Sequence, residues 1–126
     1  NGNASFTRFS QQPDVCDGAN VFNGTTMICD SVAATTANRV FKLANTMADD
    51  FNGNVTFKQY GTGSSASTMK MYPAYTANST FAGNVTVESN NVPIEFGANG
   101  GKMILDGSTN DTIRNNGSYN PSIKKL

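Results

Sequence analysis

The 126 residues carry nine basic and nine acidic side chains and no histidine, for a formal net charge of zero. Basic residues are scattered singly apart from Lys124-Lys125, without a patch interleaved with aromatics, which argues against nucleic-acid binding. No apolar run approaches the length of a membrane-spanning helix, so no insertion into a membrane is expected.

Apolar residues make up 37% and charged residues 14%, the first low for a globular domain and the second low for a disordered chain. Asn, Thr, Ser and Gly dominate instead, the composition of short strands joined by polar turns. No stretch sustains a 3.6-residue period, so an all-β fold almost free of helix is predicted. The length allows one domain, and residues 1–126 read as a single repeat-built β domain, a segment of a longer tandem-repeat chain.

In chain order, residues 1–9 read as a strand holding Ala4 and Phe6, with Arg8 or Phe9 at its end. Residues 10–20, with Pro13 and Gly18, read as a long loop. Phe22-Asn23-Gly24-Thr25-Thr26-Met27-Ile28 then introduces a motif that returns as Phe51-Asn52-Gly53-Asn54-Val55-Thr56-Phe57 and Phe81-Ala82-Gly83-Asn84-Val85-Thr86-Val87. The opening Asn1-Gly2-Asn3-Ala4-Ser5-Phe6 is a shortened copy, and the motif glycines Gly2, Gly24, Gly53 and Gly83 are 22, 29 and 30 residues apart. A fixed motif returning at such intervals marks a repeat architecture. Within a copy, Phe51, Gly53, Val55 and Phe57 alternate with polar residues, the pattern of a half-buried strand entered by an Asn-Gly bend. Residues 31–38, rich in Ala and Thr, lack an apolar stripe and read as a connector rather than a helix.

A second element recurs as Phe41-Lys42-Leu43, Met69-Lys70-Met71 and Ile94-Glu95-Phe96, each leading into a turn of small residues. Residues 100–107 add a strand bounded by glycines, followed by a polar tail. Two or three short strands per repeat of about 30 residues match one coil of a β-solenoid, expected to be right-handed, with coils about 4.8 Å apart. Val55 would then stack on Val85 inside, with Thr56 on Thr86 and Asn54 on Asn84 outside. An antiparallel β-sandwich of hairpins is the competing layout.

The ordered series Gly18-Ala19-Asn20-Val21-Phe22-Asn23-Gly24, Phe41-Lys42-Leu43-Ala44-Asn45-Thr46 and Asp50-Phe51-Asn52-Gly53-Asn54-Val55-Thr56-Phe57 resembles the repeats of giant Bacteroidetes cell-surface adhesins, of which the SprB-like gliding-motility adhesins are the best-known type. Tyr72-Pro73-Ala74-Tyr75, Phe96-Gly97-Ala98-Asn99-Gly100-Gly101 and Leu105-Asp106-Gly107 continue the resemblance over nearly the whole chain. It implies an extracellular, surface-displayed filament exported by type IX secretion, with a structural, adhesive role, gliding motility in some members, and no catalytic residues or cofactor. The partners it implies are neighbouring repeats of the same chain and a surface polysaccharide or substratum. The chain departs from that pattern at Cys16 and Cys29, where polar residues are expected. The alternative function is a carbohydrate-binding or polysaccharide-cleaving β-helix of the lyase or phage tail-spike type.

Candidate sites are few. Without histidine the common general base is missing, and carboxylates would have to serve. Asp49-Asp50 reads as a turn pair with one carboxylate on turn amides, and Asp106 and Asp111 as loop carboxylates satisfying their own backbone rather than a calcium ion. Cys16 and Cys29 bracket the second motif copy, either bonded as a disulfide closing a short loop or standing as two separate thiols. Two cysteines without histidine are a poor zinc set, so no metal site is expected. Phe41, Phe57, Phe81 and Phe96 fit core columns, whereas Tyr72 and Tyr75 are candidates for glycan contact. Seven Asn-X-Ser/Thr triplets, at Asn3, Asn23, Asn54, Asn78, Asn84, Asn110 and Asn116, follow from a composition so rich in Asn and Thr. Asp30-Ser31-Val32 and Asp111-Thr112-Ile113 resemble the sites at which Bacteroidetes O-glycosylate exported proteins, which would place sugars on Ser31 and Thr112.

Overall fold

Alternation of apolar and polar residues on either side of each glycine produces strands, and the glycine turns the chain from one strand into the next. In the computed structural model, residues 2–9, 13–33, 40–62, 70–90, 99–105 and 112–115 are described. Their strands are β1 (Ala4–Arg8), β2 (Asp14–Val15), β3 (Val21–Phe22), β4 (Thr26–Ala33), β5 (Val40–Lys42), β6 (Asp50–Phe51), β7 (Val55–Thr62), β8 (Lys70–Tyr72), β9 (Ser79–Phe81), β10 (Val85–Asn90), β11 (Met103–Leu105) and β12 (Thr112–Asn115). No helix occurs among the described residues, and the fold is all-β.

The strands form three sheets, ordered β1-β4-β7-β10-β12, β3-β6-β9-β11 and β2-β5-β8. Every pairing within them is parallel. The antiparallel sandwich is therefore not formed. Parallel strands need long crossovers, and here the crossovers from β1 to β4, β4 to β7 and β7 to β10 each pass through the other two sheets before returning.

Equivalent positions fall in register. Val85 lies beside Val55 and Thr86 beside Thr56, as the repeated motif predicts. The backbone bonds that bracket the corners also run between repeats, from Thr26 N to Asn54 O, from Val55 N to Asn84 O and from Ala82 N to Phe51 O. Asn54 adds a side-chain bond, its Oδ1 accepting the amide of Asn84 at 3.0 Å.

Inward residues of all three sheets meet in one core that includes Ile28, Leu43, Phe51, Val55, Phe57, Met71, Phe81, Val85, Val87 and Met103. Phe22, Phe51 and Phe81 stack face to face with centroids 4.8 Å apart, one ring per repeat, and Phe57 packs edge-on against both Phe51 and Phe81. Of the other predicted core aromatics, Phe41 is partly buried against this cluster, whereas Phe96 lies outside the described residues.

Four local expectations are corrected. Residues 10–20 are not all loop, since Asp14–Val15 form β2, and residues 31–33 belong to β4 rather than to a connector. The segment from Phe51 to Phe57 is two strands rather than one, because Phe51 ends β6 in one sheet and Val55 opens β7 in another. Phe51, Val55 and Phe57 nonetheless all point inward, since the chain bends at Gly53 between them. The second recurring element also pairs differently from its sequence match: Phe41 lies beside Met71 and Lys42 beside Tyr72, a slip of two residues. A two-residue slip keeps each side chain on its face and keeps Lys42 from lying opposite Lys70. Ile94-Glu95-Phe96 lies outside the described residues.

The corners require glycine for space. A Cβ on Gly53 would lie 2.5 Å from the carbonyl oxygen of Gly24, and one on Gly83 would lie 2.4 Å from the carbonyl carbon of Gly53. At Gly2 a Cβ would meet nothing within 4 Å. Gly53→Ala is expected to cost about 1–3 kcal/mol through forced separation of two repeats. Gly2→Ala should stay within about 0.5 kcal/mol. Urea unfolding of the two variants checks this, and equal losses would remove the corner argument.

Candidate functional site

The chemistry-bearing side chains gather in three places: a polar column inside the five-stranded sheet, an outer face of the same sheet, and a cavity beside β1, β2 and β3.

The column begins with Arg8, at the end of β1. Its inward parity follows from Ala4 and Phe6, and register places it beside Asp30 of β4, which neighbours Gln59 of β7. Arg8 Nε donates to Asp30 Oδ1 at 2.9 Å and Nη2 to Oδ2 at 3.2 Å, a two-pronged ion pair with a fully buried carboxylate. Arg8 Nη1 also donates to the carbonyl of Val40 at 3.0 Å and to Asp14 Oδ2 at 3.4 Å. Gln59 Nε2 donates to Asp30 Oδ2 at 2.9 Å, while its buried Oε1 has no hydrogen-bond partner among the described residues. Alternation was the available signal for this column: Arg8 is two residues past Phe6 and Asp30 two past Ile28. The sequence reading places Arg8 at a strand end and gives Asp30 no inward role.

On the outer face, Cys29, Lys58 and Glu88 are register neighbours on β4, β7 and β10. Lys58 Nζ lies 3.2 Å from Glu88 Oε2, and Tyr60 donates its hydroxyl to the same oxygen at 3.0 Å. The hydrogen bond to Glu88, reinforced by its charge, holds the Lys58 ammonium above its usual pKa. Burial, followed by the Glu88 bond, pushes the Tyr60 phenol up. The Cys29 thiol is also raised, by burial first and then by the charge of Asp30, with Lys58 opposing. This is the reverse of nucleophile activation.

The cavity encloses about 270 Å³ and is lined by Phe6, Cys16, Phe22, Phe41, Phe51 and Asp49 among others. Asp49 is buried, and its Oδ1 accepts Asn20 Nδ2 at 2.8 Å and the Asn20 amide at 3.0 Å. The expectation of a carboxylate on backbone amides thus holds for Asp49, although the amide belongs to the preceding repeat rather than to its own turn. Asp50 instead accepts the hydroxyl of Thr80.

The remaining predicted residues are not brought together. Cys16 and Cys29 are both free thiols. Cys16 packs against the core beside the cavity, whereas Cys29 alternates with inward Ile28 and Asp30 and takes the outer face of β4. Opposite sides of a sheet preclude the disulfide. Tyr72 is only 8% exposed and packs edge-on against Tyr75, whose ring carries Lys42 Nζ at 3.9 Å from its centroid. The pair is occupied in packing, so Tyr72 offers no open stacking face, and the half-buried Tyr75 ring is already engaged by a cation. Ser31 is half-buried within β4, next to the fully buried Asp30 of its motif. Thr112 opens β12 beside Thr86, while Asp106 and Asp111 lie outside the described residues. Among the described residues, no group of three or more His, Cys, Asp or Glu side chains is placed to hold a metal ion.

No protein-family model matches this chain, and neither curated proteins nor solved structures yield a match.

Arg8→Ala would leave Asp30 as an unpaired buried charge, with an expected cost of about 3–5 kcal/mol in urea unfolding. The double replacement Arg8→Met with Asp30→Leu should recover most of that loss, and failure to do so would show that the ion pair itself contributes net stability. For the thiols, alkylation in denaturant without reductant should label both cysteines. In the folded chain near pH 8, Cys29 should react more slowly than it does in denaturant, because a raised pKa leaves less thiolate, and that gap should narrow as pH rises. Failure of both cysteines to label would reveal a bond between them.

Proposed function

We propose that this chain is a structural repeat unit of an extracellular adhesin filament on a bacterial surface, without catalysis, and that its repeats wind as a right-handed β-solenoid of about 30 residues per coil. The observation that carries the reading is the parallel, in-register pairing of equivalent motif positions, Val55 with Val85 and Phe51 with Phe81. Such pairing suits a shaft, because each repeat covers the apolar face of the next and length can grow without redesign.

The motif series resembling Bacteroidetes adhesins supports export by type IX secretion and a role in adhesion, with gliding motility in the source group. The partners are neighbouring repeats of the same chain, together with a surface polysaccharide or the substratum. In that setting Ser31 and Thr112 are the O-glycosylation positions. The placement of the carboxylates favours this reading over a polysaccharide-cleaving β-helix. Asp30 and Asp49 are buried in structural hydrogen bonds, and Glu88 is committed to Lys58 and Tyr60.

The test incubates the purified chain with a panel of acidic and neutral polysaccharides and follows reducing ends and unsaturated products. None should form. Asp50→Asn and Tyr75→Ala should change stability by no more than about 1 kcal/mol, whereas Val85→Asp, burying a charge between repeats, should abolish the fold. Turnover that vanishes on replacing one Asp or Glu would overthrow the structural reading in favour of the enzyme.

A further inference from the structure

Asparagine followed by glycine is the pair most prone to lose its side-chain amide, because glycine has no side chain to shield its own backbone nitrogen. The sequence holds five such pairs, beginning at Asn1, Asn23, Asn52, Asn99 and Asn116, and the pair itself ranks them equally. Asn1 and Asn116 lie outside the described residues. The other three asparagines are all exposed, so access to water does not rank them either. Their surroundings do.

Two of the pairs are stacked corners. A Cβ on Gly24 would meet the Gly2 carbonyl, and one on Gly53 would lie 2.5 Å from the carbonyl oxygen of Gly24. The Gly53 amide points at the carbonyl of Phe22 at 3.4 Å, and Asn52 Nδ2 donates to Asn23 Oδ1 at 2.8 Å. Both carboxamides are therefore engaged, and neither glycine can swing without pushing the preceding repeat away. Gly100 is glycine for a different reason. Asn99 and Gly100 have φ of 51° and 96°, the pattern of a type I′ turn, and a Cβ on Gly100 would meet nothing within 4 Å. Among the described residues no hydrogen bond engages the Gly100 amide. Asn99 Nδ2 donates to the Thr76 hydroxyl at 3.3 Å, longer than the usual range. Backbone anchoring resumes at Gly101, whose amide donates to the Tyr75 carbonyl at 3.1 Å.

We propose that Asn99 is a modification site of the folded chain, deamidating through a succinimide while Asn23 and Asn52 are protected by the stack. The Gly100 nitrogen attacks Asn99 Cγ, and a bond forms between them. The proton displaced from that nitrogen passes through solvent to Nδ2, the Cγ–Nδ2 bond breaks, and the side-chain nitrogen leaves as ammonia. Water then opens the five-membered ring at either carbonyl, leaving aspartate or isoaspartate. Closing the ring requires the peptide between the two residues to rotate, which displaces the glycine. At Gly24 and Gly53 that displacement runs into backbone, whereas Gly100 faces open space. The product sets a carboxylate on the exposed turn before β11, in a chain whose formal net charge is zero. The isoaspartyl form also lengthens the turn by one backbone carbon. The modification is irreversible and marks the age of the chain at one turn. This inference goes beyond the filament reading and does not depend on it.

Peptide mapping by mass spectrometry, on whole chain aged at mildly alkaline pH, reads each asparagine separately. In the folded chain Asn99 should convert about tenfold faster, or more, than Asn23 or Asn52, equivalent to about 1.4 kcal/mol in the barrier. In concentrated urea the three rates should converge, because the reacting pair is the same and the stack is gone. An isoaspartate-specific methyltransferase should label the aged folded chain in the peptide holding Asn99 and not in those holding Asn23 or Asn52. Three results would overturn the proposal: Asn99 intact in the folded chain after the urea sample has converted, Asn23 or Asn52 keeping pace with it there, or its preference surviving in urea.

Discussion

The approach of one glycine corner to the next is the constraint on which the remaining structure depends. At Gly24, Gly53 and Gly83 a single added carbon would meet the backbone of the preceding repeat at under 3 Å. Only where that space is empty can the strands on either side come within hydrogen-bonding distance along their length. The parallel pairings, the stacked phenylalanines and the asparagine bond from Asn84 to Asn54 all presuppose this approach. Motif glycines are therefore steric requirements, and the asparagines beside them supply the polar groups that a corner leaves unpaired.

Stacking makes the core collective. No repeat buries its own phenylalanine; Phe51 is covered by Phe22 on one side and Phe81 on the other. Its ring is 1% exposed, whereas Phe22, nearer the edge, is only partly buried. Burial thus depends on position in the stack rather than on residue type. An interior column of like residues also transmits a defect to both neighbours, which is why a single charge at Val85 is expected to be so damaging.

The column Arg8–Asp30–Gln59 works differently. A buried ion pair is a weak source of net stability, because desolvation offsets most of the Coulombic gain. Its value is discrimination between registers. A slip of β1 by two residues would keep every inward side chain inward but would withdraw Arg8 from Asp30 and strand a buried carboxylate. Apolar columns alone tolerate such a slip. The Oε1 of Gln59, without a hydrogen-bond partner among the described residues, lies in this same column.

By itself, the sequence determined the period, the inward-facing residues and the corners. These follow from local rules: alternation at a spacing of two, glycine where no side chain fits, and a motif repeated often enough to reveal its interval. Tertiary structure decided what those rules leave degenerate. Whether Phe51 and Val55 share a strand depends on the bend at Gly53, and alternation reads the same through a bend as through an extended chain. The register of Phe41 beside Met71 differs by two residues from the motif match, and a period of two cannot distinguish the alternatives. Cys16 and Cys29 are close in sequence yet take opposite faces of the fold, which is set by the strand each occupies rather than by their separation. Arg8 and Asp30 meet because the chain returns to the same sheet over a separation of 22 positions. That return is a property of the whole repeat, and no local stretch encodes it.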